Sequence, residues 1–169
     1  MDYLEELGLE LEARIGGLPP GKVVFVGVGN RSRGDDAIGP GVIDRLASHV
    51  PHAIDAGPAP ENATSAIKKL KPEAIVFIDA LIFEDLPPGA PALVEIDEVR
   101  HLGASAHTLS LDVVMEYLKA ETGADVFVIG VQPGLIGDTE GTTPEAAASI
   151  VKIAAVIIDT MKTGRTEGN

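Results

Sequence analysis

The sequence predicts an α/β fold, a three-layer α/β/α sandwich built on a twisted, mostly parallel sheet of about five strands. Three observations lead there. Val23–Val28, Ala74–Ile78 and Val126–Val131 are apolar runs rich in Val, Ile and Phe without polar alternation, as strands covered on both faces require. Segments of helical spacing separate these runs, and parallel neighbours need such crossovers. The 169 residues, 45% of them hydrophobic, can bury one continuous core.

The elements follow in order. Leu4, Leu7, Leu11 and Ile15 share one helical face while Glu5, Glu6, Glu10 and Glu12 lie elsewhere, so residues 1–20 form an amphipathic helix and linker closed by Gly16-Gly17 and Pro19-Pro20. This helix is expected to pack outside the main sheet. The α/β domain proper spans 21–162. Its first strand is Lys22–Val28, and Pro40 can open a helix through Val42, Ile43, Leu46 and Val50 that ends before Pro51. His52–Asp55 is a short second strand, after which Asn62 or Thr64 can cap a helix carrying Ile67 and Leu70. Ala74–Asp79 is the next buried strand, and Pro87-Pro88-Gly89 breaks the chain before an edge strand, Ala92–Ile96. Ser105 or Thr108 can cap a helix through Leu111, Val114, Met115 and Leu118, which sets His107 near its start. Asp125–Val131 is the last strand. Thr143-Pro144-Glu145 supplies the cap, first residue and first-turn acid of a final helix bearing Ile150, Ile153, Ala154 and Ile157, and residues 163–169 are expected to fray.

Composition narrows the function. Acidic side chains outnumber basic ones 26 to 13, and the net charge of −13 disfavours nucleic acid and anionic membranes. With no cysteine, disulfides, thiolate metal sites and cysteine nucleophiles are excluded, so protein metal ligands must be Asp, Glu or His. The acidic start, Met1-Asp2-Tyr3-Leu4-Glu5-Glu6, lacks the pattern of a signal peptide, and no apolar run is long enough to span a bilayer. The expectation is a cytoplasmic protein and, without a large exposed apolar stripe, a monomer.

The chemistry is expected where the first strand ends. Gly29-Asn30-Arg31-Ser32-Arg33-Gly34-Asp35-Asp36-Ala37-Ile38-Gly39 puts two adjacent carboxylates on a glycine-bounded turn, and ligands of open α/β sheets bind beside strand carboxyl ends. Gly27-Val28-Gly29 also suggests dinucleotide binding, with Asp55 as the ribose acid, but the third small residue and prompt helix of that fingerprint are missing near Ser32. Asp79 leaves a second strand's carboxyl end, and His107 lies beside a helix start. Two carboxylates and an imidazole suit zinc or nickel with coordination positions left open. Asp35 reads better as an organiser of its own turn, whereas Asp36 and Asp79 are each either loop organiser or ligand. Arg31 and Arg33 are either solvated charge or contacts to a substrate carboxylate. His49, His52 and His101 lie away from strand carboxyl ends.

Four separated segments, Gly27-Val28-Gly29-Asn30, Asp35-Asp36-Ala37-Ile38-Gly39, Ile78-Asp79-Ala80 and Ser105-Ala106-His107, together resemble the hydrogenase maturation protease family in order and spacing. Gly130-Val131-Gln132-Pro133 and Gly141-Thr142-Thr143-Pro144 add to the resemblance, which covers Lys22 to Met161. It implies an endopeptidase that removes a C-terminal extension from the large-subunit precursor of a nickel-iron hydrogenase after nickel insertion. It also implies Asp36, Asp79 and His107 as metal contacts, with Gly29, Asn30, Asp35 and Gly39 supporting the loop. The metal would be nickel supplied by the precursor, with zinc or another divalent ion able to occupy the site in isolated protein. Asp36 or Asp79 could serve as general base, or the metal could polarise the peptide carbonyl. Neither a Ser-His-Asp arrangement nor a His-Glu-x-x-His motif is evident. A non-cutting, nickel-sensing chaperone of the precursor would use the same three residues.

Overall fold

The computed structural model describes residues 2–102 and 110–167. Among these, five strands form one sheet: β1 (Val23–Val28), β2 (Ala53–Gly57), β3 (Ala74–Ala80), β4 (Pro91–Val94) and β5 (Asp125–Val131), in the order β2-β1-β3-β5-β4. The first three pairings are parallel and β4 runs antiparallel on the edge beside β5. Helices α1 (Tyr3–Ile15), α2 (Ile38–Leu46), α3 (Thr64–Lys69), α4 (Ile96–Val99), α5 (Leu111–Thr122) and α6 (Pro144–Glu167) complete the chain. The predicted three-layer sandwich is the observed one.

Strand alternation decides which helix covers which face. Val23, Phe25, Val76, Ile78, Phe127 and Ile129 face α1, α2 and α6. Their neighbours Val24, Val26, Ile75, Phe77, Val126 and Val128 face α3, α4 and α5. Both sets are buried, which is why these strands read as continuous apolar runs.

The first helix belongs to this core. Leu7, Leu11 and Ile15 are buried, and α1 packs on α6 and β4 rather than standing apart. Its Arg14 reaches both Glu95 and Asp125 and lies 4.2 Å from the centre of the Phe127 ring, tying the helix to β5 and to the residue after β4.

Several boundaries differ from the sequence pattern for identifiable reasons. The edge strand stops at Val94 because Glu95 and Glu98 form a capping box that starts α4. Neither Asn62 nor Thr64 caps α3: a 3-10 turn over Pro60–Ala63 leads into it, and the Thr64 hydroxyl donates to the Glu61 carbonyl. Ser110 occupies the cap position of α5, whereas Ser105 and Thr108 lie outside the described residues. Pro40 falls inside α2, which begins at Ile38 directly from a 3-10 turn over Asp35–Ala37. Thr143 does cap α6, its hydroxyl accepting from Ala146 N–H at 3.3 Å, and the backbone stays helical to Glu167, past Thr163.

The strand order reverses between β1 and β3. From β1 the chain moves to β2 under α2 on one face; from β3 it moves away to β5, with α5 on the other face. Crossovers on opposite faces leave a crevice at the carboxyl ends of the two central strands. The start of α2 comes very close to that point: a Cβ on Gly39 would lie 2.3 Å from the Val28 carbonyl oxygen and 2.4 Å from that of Ile78. Only glycine lets the helix sit there. Gly39→Ala should therefore destabilise the fold by on the order of 2–3 kcal/mol through forced separation of α2 from the sheet, read as a lower urea midpoint at unchanged slope.

Candidate functional site

Two acids arrive at the switch point from different elements. Asp36 lies in the 3-10 turn that follows β1, and this turn packs against β3. Asp79 is the sixth residue of β3, opposite Gly130 of β5, and shares parity with Ile75 and Phe77, the residues beneath α3 and α5. Asp79 is fully buried and Asp36 is 5% exposed. Buried carboxylates are uncommon without compensating partners, so their partners matter.

The turn is shaped to aim Asp36. Asp36 Oδ2 accepts the Asn30 N–H at 2.8 Å, closing the turn on itself. Asn30 Oδ1 in turn accepts both the backbone N–H and the hydroxyl of Ser32, at 2.9 and 2.7 Å. Gly29 takes φ +145°, and a Cβ there would lie 1.9 Å from the Asp36 carbonyl oxygen, so the closure depends on its bare backbone. Asp36 Oδ1 is buried and has no hydrogen-bond partner among the described residues. A carboxylate oxygen left in that state is costly, and native structures place such atoms where a ligand, ion or water completes them.

Asp35 has a different role. It is fully buried and accepts four hydrogen bonds: Thr143 N–H at 2.7 Å on Oδ1, and on Oδ2 the Thr143 hydroxyl and Gly134 N–H, both at 2.7 Å, and Leu135 N–H at 3.2 Å. Its own N–H donates to the Leu135 carbonyl at 2.8 Å. Burial pushes its carboxyl pKa up, but the Thr143 hydroxyl and the three backbone N–H groups together outweigh that and hold it below the usual carboxylate range. Asp35 thus fastens the loop after β5 to the turn after β1, and Asp36 is its chain neighbour. The carboxylate expected to bond the backbone of its own turn instead reaches Gly134, Leu135 and Thr143, about a hundred residues along the chain, because the fold packs the loop after β5 on that turn.

The other sequence candidates fall into place around this pair. Arg31 pairs with Asp44 and Asp55, and Arg33 with Asp138, so both arginines spend their charge within the chain. Asp55 is held by Arg31 and accepts the Gly57 N–H. Its carboxylate is therefore committed, which removes the ribose acid from the dinucleotide alternative. His107 lies outside the described residues. Among the described residues, no group of three His, Asp or Glu is arranged to hold a metal ion.

Two features escaped the sequence. Glu61 Oε2, on the turn after β2, is also buried without a hydrogen-bond partner among the described residues; nothing in its spacing marks it, since the condition arises from tertiary packing. A cavity of about 570 Å³ lined by Glu95, Asp97, Glu116, Lys119 and Asp125 opens at the opposite end of the sheet, where β5 begins. Its acids are engaged: Arg14 holds Glu95 and Asp125, and Arg100 holds Asp97 and Glu116. The switch point is the better candidate because its unpaired carboxylate oxygen has an unmet requirement.

The four-bonded Asp35 gives a stability test. Asp35→Asn would turn an NH2 toward N–H donors, and should cost about 2–3 kcal/mol at neutral pH by thermal or urea unfolding. The sign with pH follows from the lowered folded-state pKa. The carboxylate's stabilisation is complete above its unfolded value of ~3.9 and is lost as pH falls through the folded one. The gap between the wild type and Asp35→Asn should therefore narrow in acid.

The comparisons with known proteins follow the same lines. The family model described as HycI, hydrogenase maturation protease, matches residues 42–160. The hydrogenase 3 maturation protease of Escherichia coli is 32% identical over 119 residues, covering 68% of this chain and 74% of that protein. The crystal structure of the [NiFe] hydrogenase maturation protease HycI from Thermococcus kodakarensis superposes with a TM-score of 0.82 at 32% identity, covering 90% of this chain and 99% of that one. The solution structure of the endopeptidase HycI from Escherichia coli gives a TM-score of 0.72 at 26% identity, with 88% and 92% covered. With its family model spanning most of the chain and its carboxylate turn at the sheet's switch point, this chain belongs to the hydrogenase maturation protease family.

Proposed function

We propose that the chain is an endopeptidase that removes the C-terminal extension of a nickel-iron hydrogenase large-subunit precursor once nickel has been inserted. One observation carries the reading: the buried turn carboxylate Asp36, with one oxygen fixed by Asn30 N–H and the other without a hydrogen-bond partner among the described residues, at the switch point where Asp79 lies near the end of its strand. Family membership supports the reaction class, and the names of the Escherichia coli and Thermococcus relatives supply hydrogenase maturation as the process.

The residues fit a divalent cation as part of the substrate. Hard carboxylate oxygens from Asp36 and Asp79 with an imidazole from His107 form a donor set that nickel and zinc both accept. Nickel carried by the precursor would mark it as ready and set the scissile bond against the acids. The chain's own contribution is positional. Asn30 N–H holds Asp36 Oδ2, so Oδ1 is the lone-pair site presented to the incoming group, whether that is the metal or the proton of an attacking water. Peptide hydrolysis then adds water across the C–N bond, one proton passing through a carboxylate to the leaving amine. Zinc or another divalent ion in the isolated chain would occupy the same donors.

Among the described residues no helix is long and apolar enough to cross a membrane. Asp36→Asn, Asp79→Asn and His107→Ala should each slow processing of nickel-loaded precursor by about 100-fold or more, read by mass spectrometry as persistence of the C-terminal peptide. Asp36→Asn should keep its thermal midpoint, because it retains the oxygen that accepts from Asn30. Nickel-free precursor should remain uncut by the wild type, and adding nickel during its maturation should restore cleavage. Binding without loss of mass in the nickel-loaded sample would instead identify a chaperone.

A further inference from the structure

Two large apolar side chains stand exposed on the loops at the same edge as the acids. Ile82 follows β3, three residues after Asp79, and is 48% exposed; Leu135 follows β5 and is 55% exposed. Tyr3, Leu9, Val113, Tyr117 and Val151 are exposed too, but they lie along α1, α5 and α6. Single exposed apolar residues on helices need no explanation.

Ile82 and Leu135 differ because their backbones are fixed on both sides of the exposure. Leu81 N–H donates to the Val131 carbonyl at 3.1 Å and Phe83 N–H to Gln132 Oε1 at 2.8 Å, so Ile82 is held between two bonds to the chain after β5. Leu135 donates its N–H to Asp35 Oδ2 and accepts the Asp35 N–H on its carbonyl. Gly34 and Ile136 form an isolated bridge beside it. A loose loop could fold such side chains inward. This frame keeps them in water, and on the Leu135 side it includes Asp35, the chain neighbour of Asp36.

We propose that Ile82 and Leu135 are specificity-determining residues of the cleavage reaction, receiving apolar side chains from the polypeptide segment that flanks the scissile bond. The proposal rests on the endopeptidase reading above. Continuity with the acids selects this occupant. A peptide whose bond reaches Asp36 and Asp79 comes to the carboxyl ends of β1 and β3, where Leu135 is bonded to Asp35 and Ile82 follows β3, and an extended chain presents alternate side chains to one surface. Apolar surface held out by hydrogen bonds costs free energy in the free protein and is covered when substrate binds.

The test uses the full chain and nickel-loaded large-subunit precursor. Ile82→Ser and Leu135→Ser should each raise KM for processing about tenfold, and the double variant more, with the loss appearing in KM rather than kcat. Thermal midpoints should stay near the wild type, because both side chains are exposed and only substrate covers them. Unchanged KM in the double variant overturns the proposal. So does a loss confined to kcat, a fall in thermal midpoint matching the lost activity, or a change from dimer to monomer without a change in KM, which would identify a second copy as the occupant. If the wild type leaves the precursor uncut, the endopeptidase reading fails. The dissociation constants of the same proteins for the intact precursor then decide the contact: weakening of at least tenfold in the double variant supports it, and an unchanged constant overturns it.

Discussion

The carboxylate of Asp35 is the interaction on which the site depends. Its four acceptor bonds reach Gly134, Leu135 and Thr143, the first of them 99 residues along the chain, and none of those donors could be left buried and unpaired without penalty. They hold the loop after β5 and the start of α6 against the turn after β1. Asp36 follows in the chain, so the bonds of Asp35 also fix where the Asp36 backbone lies. Full satisfaction at Asp35 and, among the described residues, an unmet acceptor at Asp36 stand side by side.

A second constraint is steric. α2 reaches the carboxyl ends of β1 and β3 only because Gly39 carries no side chain between it and the Val28 and Ile78 carbonyls. That approach brings the Asp36 turn against β3, where Asp79 lies. Packing and chemistry are thus coupled: the same short segment caps the sheet, begins a core helix and presents the acid. α1 stabilises the far edge instead, through Leu7, Leu11 and Ile15 and through Arg14 between Glu95 and Asp125.

Much of this could be read along the chain. The three central strands showed as apolar runs because both faces of each are covered, and the helices showed through their spacing and through Thr143-Pro144-Glu145 at the start of α6. Asp36 and Asp79 stood out because strand carboxyl ends are where open α/β sheets bind ligands. The misplaced details were caps and ends. Asn62, Thr64 and Pro40 are good starting residues in isolation, yet 3-10 turns preceded α2 and α3, and Glu95 closed a strand by joining a capping box with Glu98. Local propensity is weak enough at element ends for tertiary packing to override it.

Sequence by itself determined the layers and the placing of Asp36 and Asp79 at the carboxyl ends of β1 and β3, because periodicity and strand-end position are local properties written in consecutive residues. Tertiary structure alone decided that Asp35 is a fastener and Asp36 the open acceptor, that Arg31 is spent on Asp44 and Asp55, and that Ile82 and Leu135 are held exposed at the rim. Those outcomes depend on hydrogen bonds between residues far apart in the chain, which leave no periodic trace and exist only once the strand order has brought the ends of β1, β3 and β5 together.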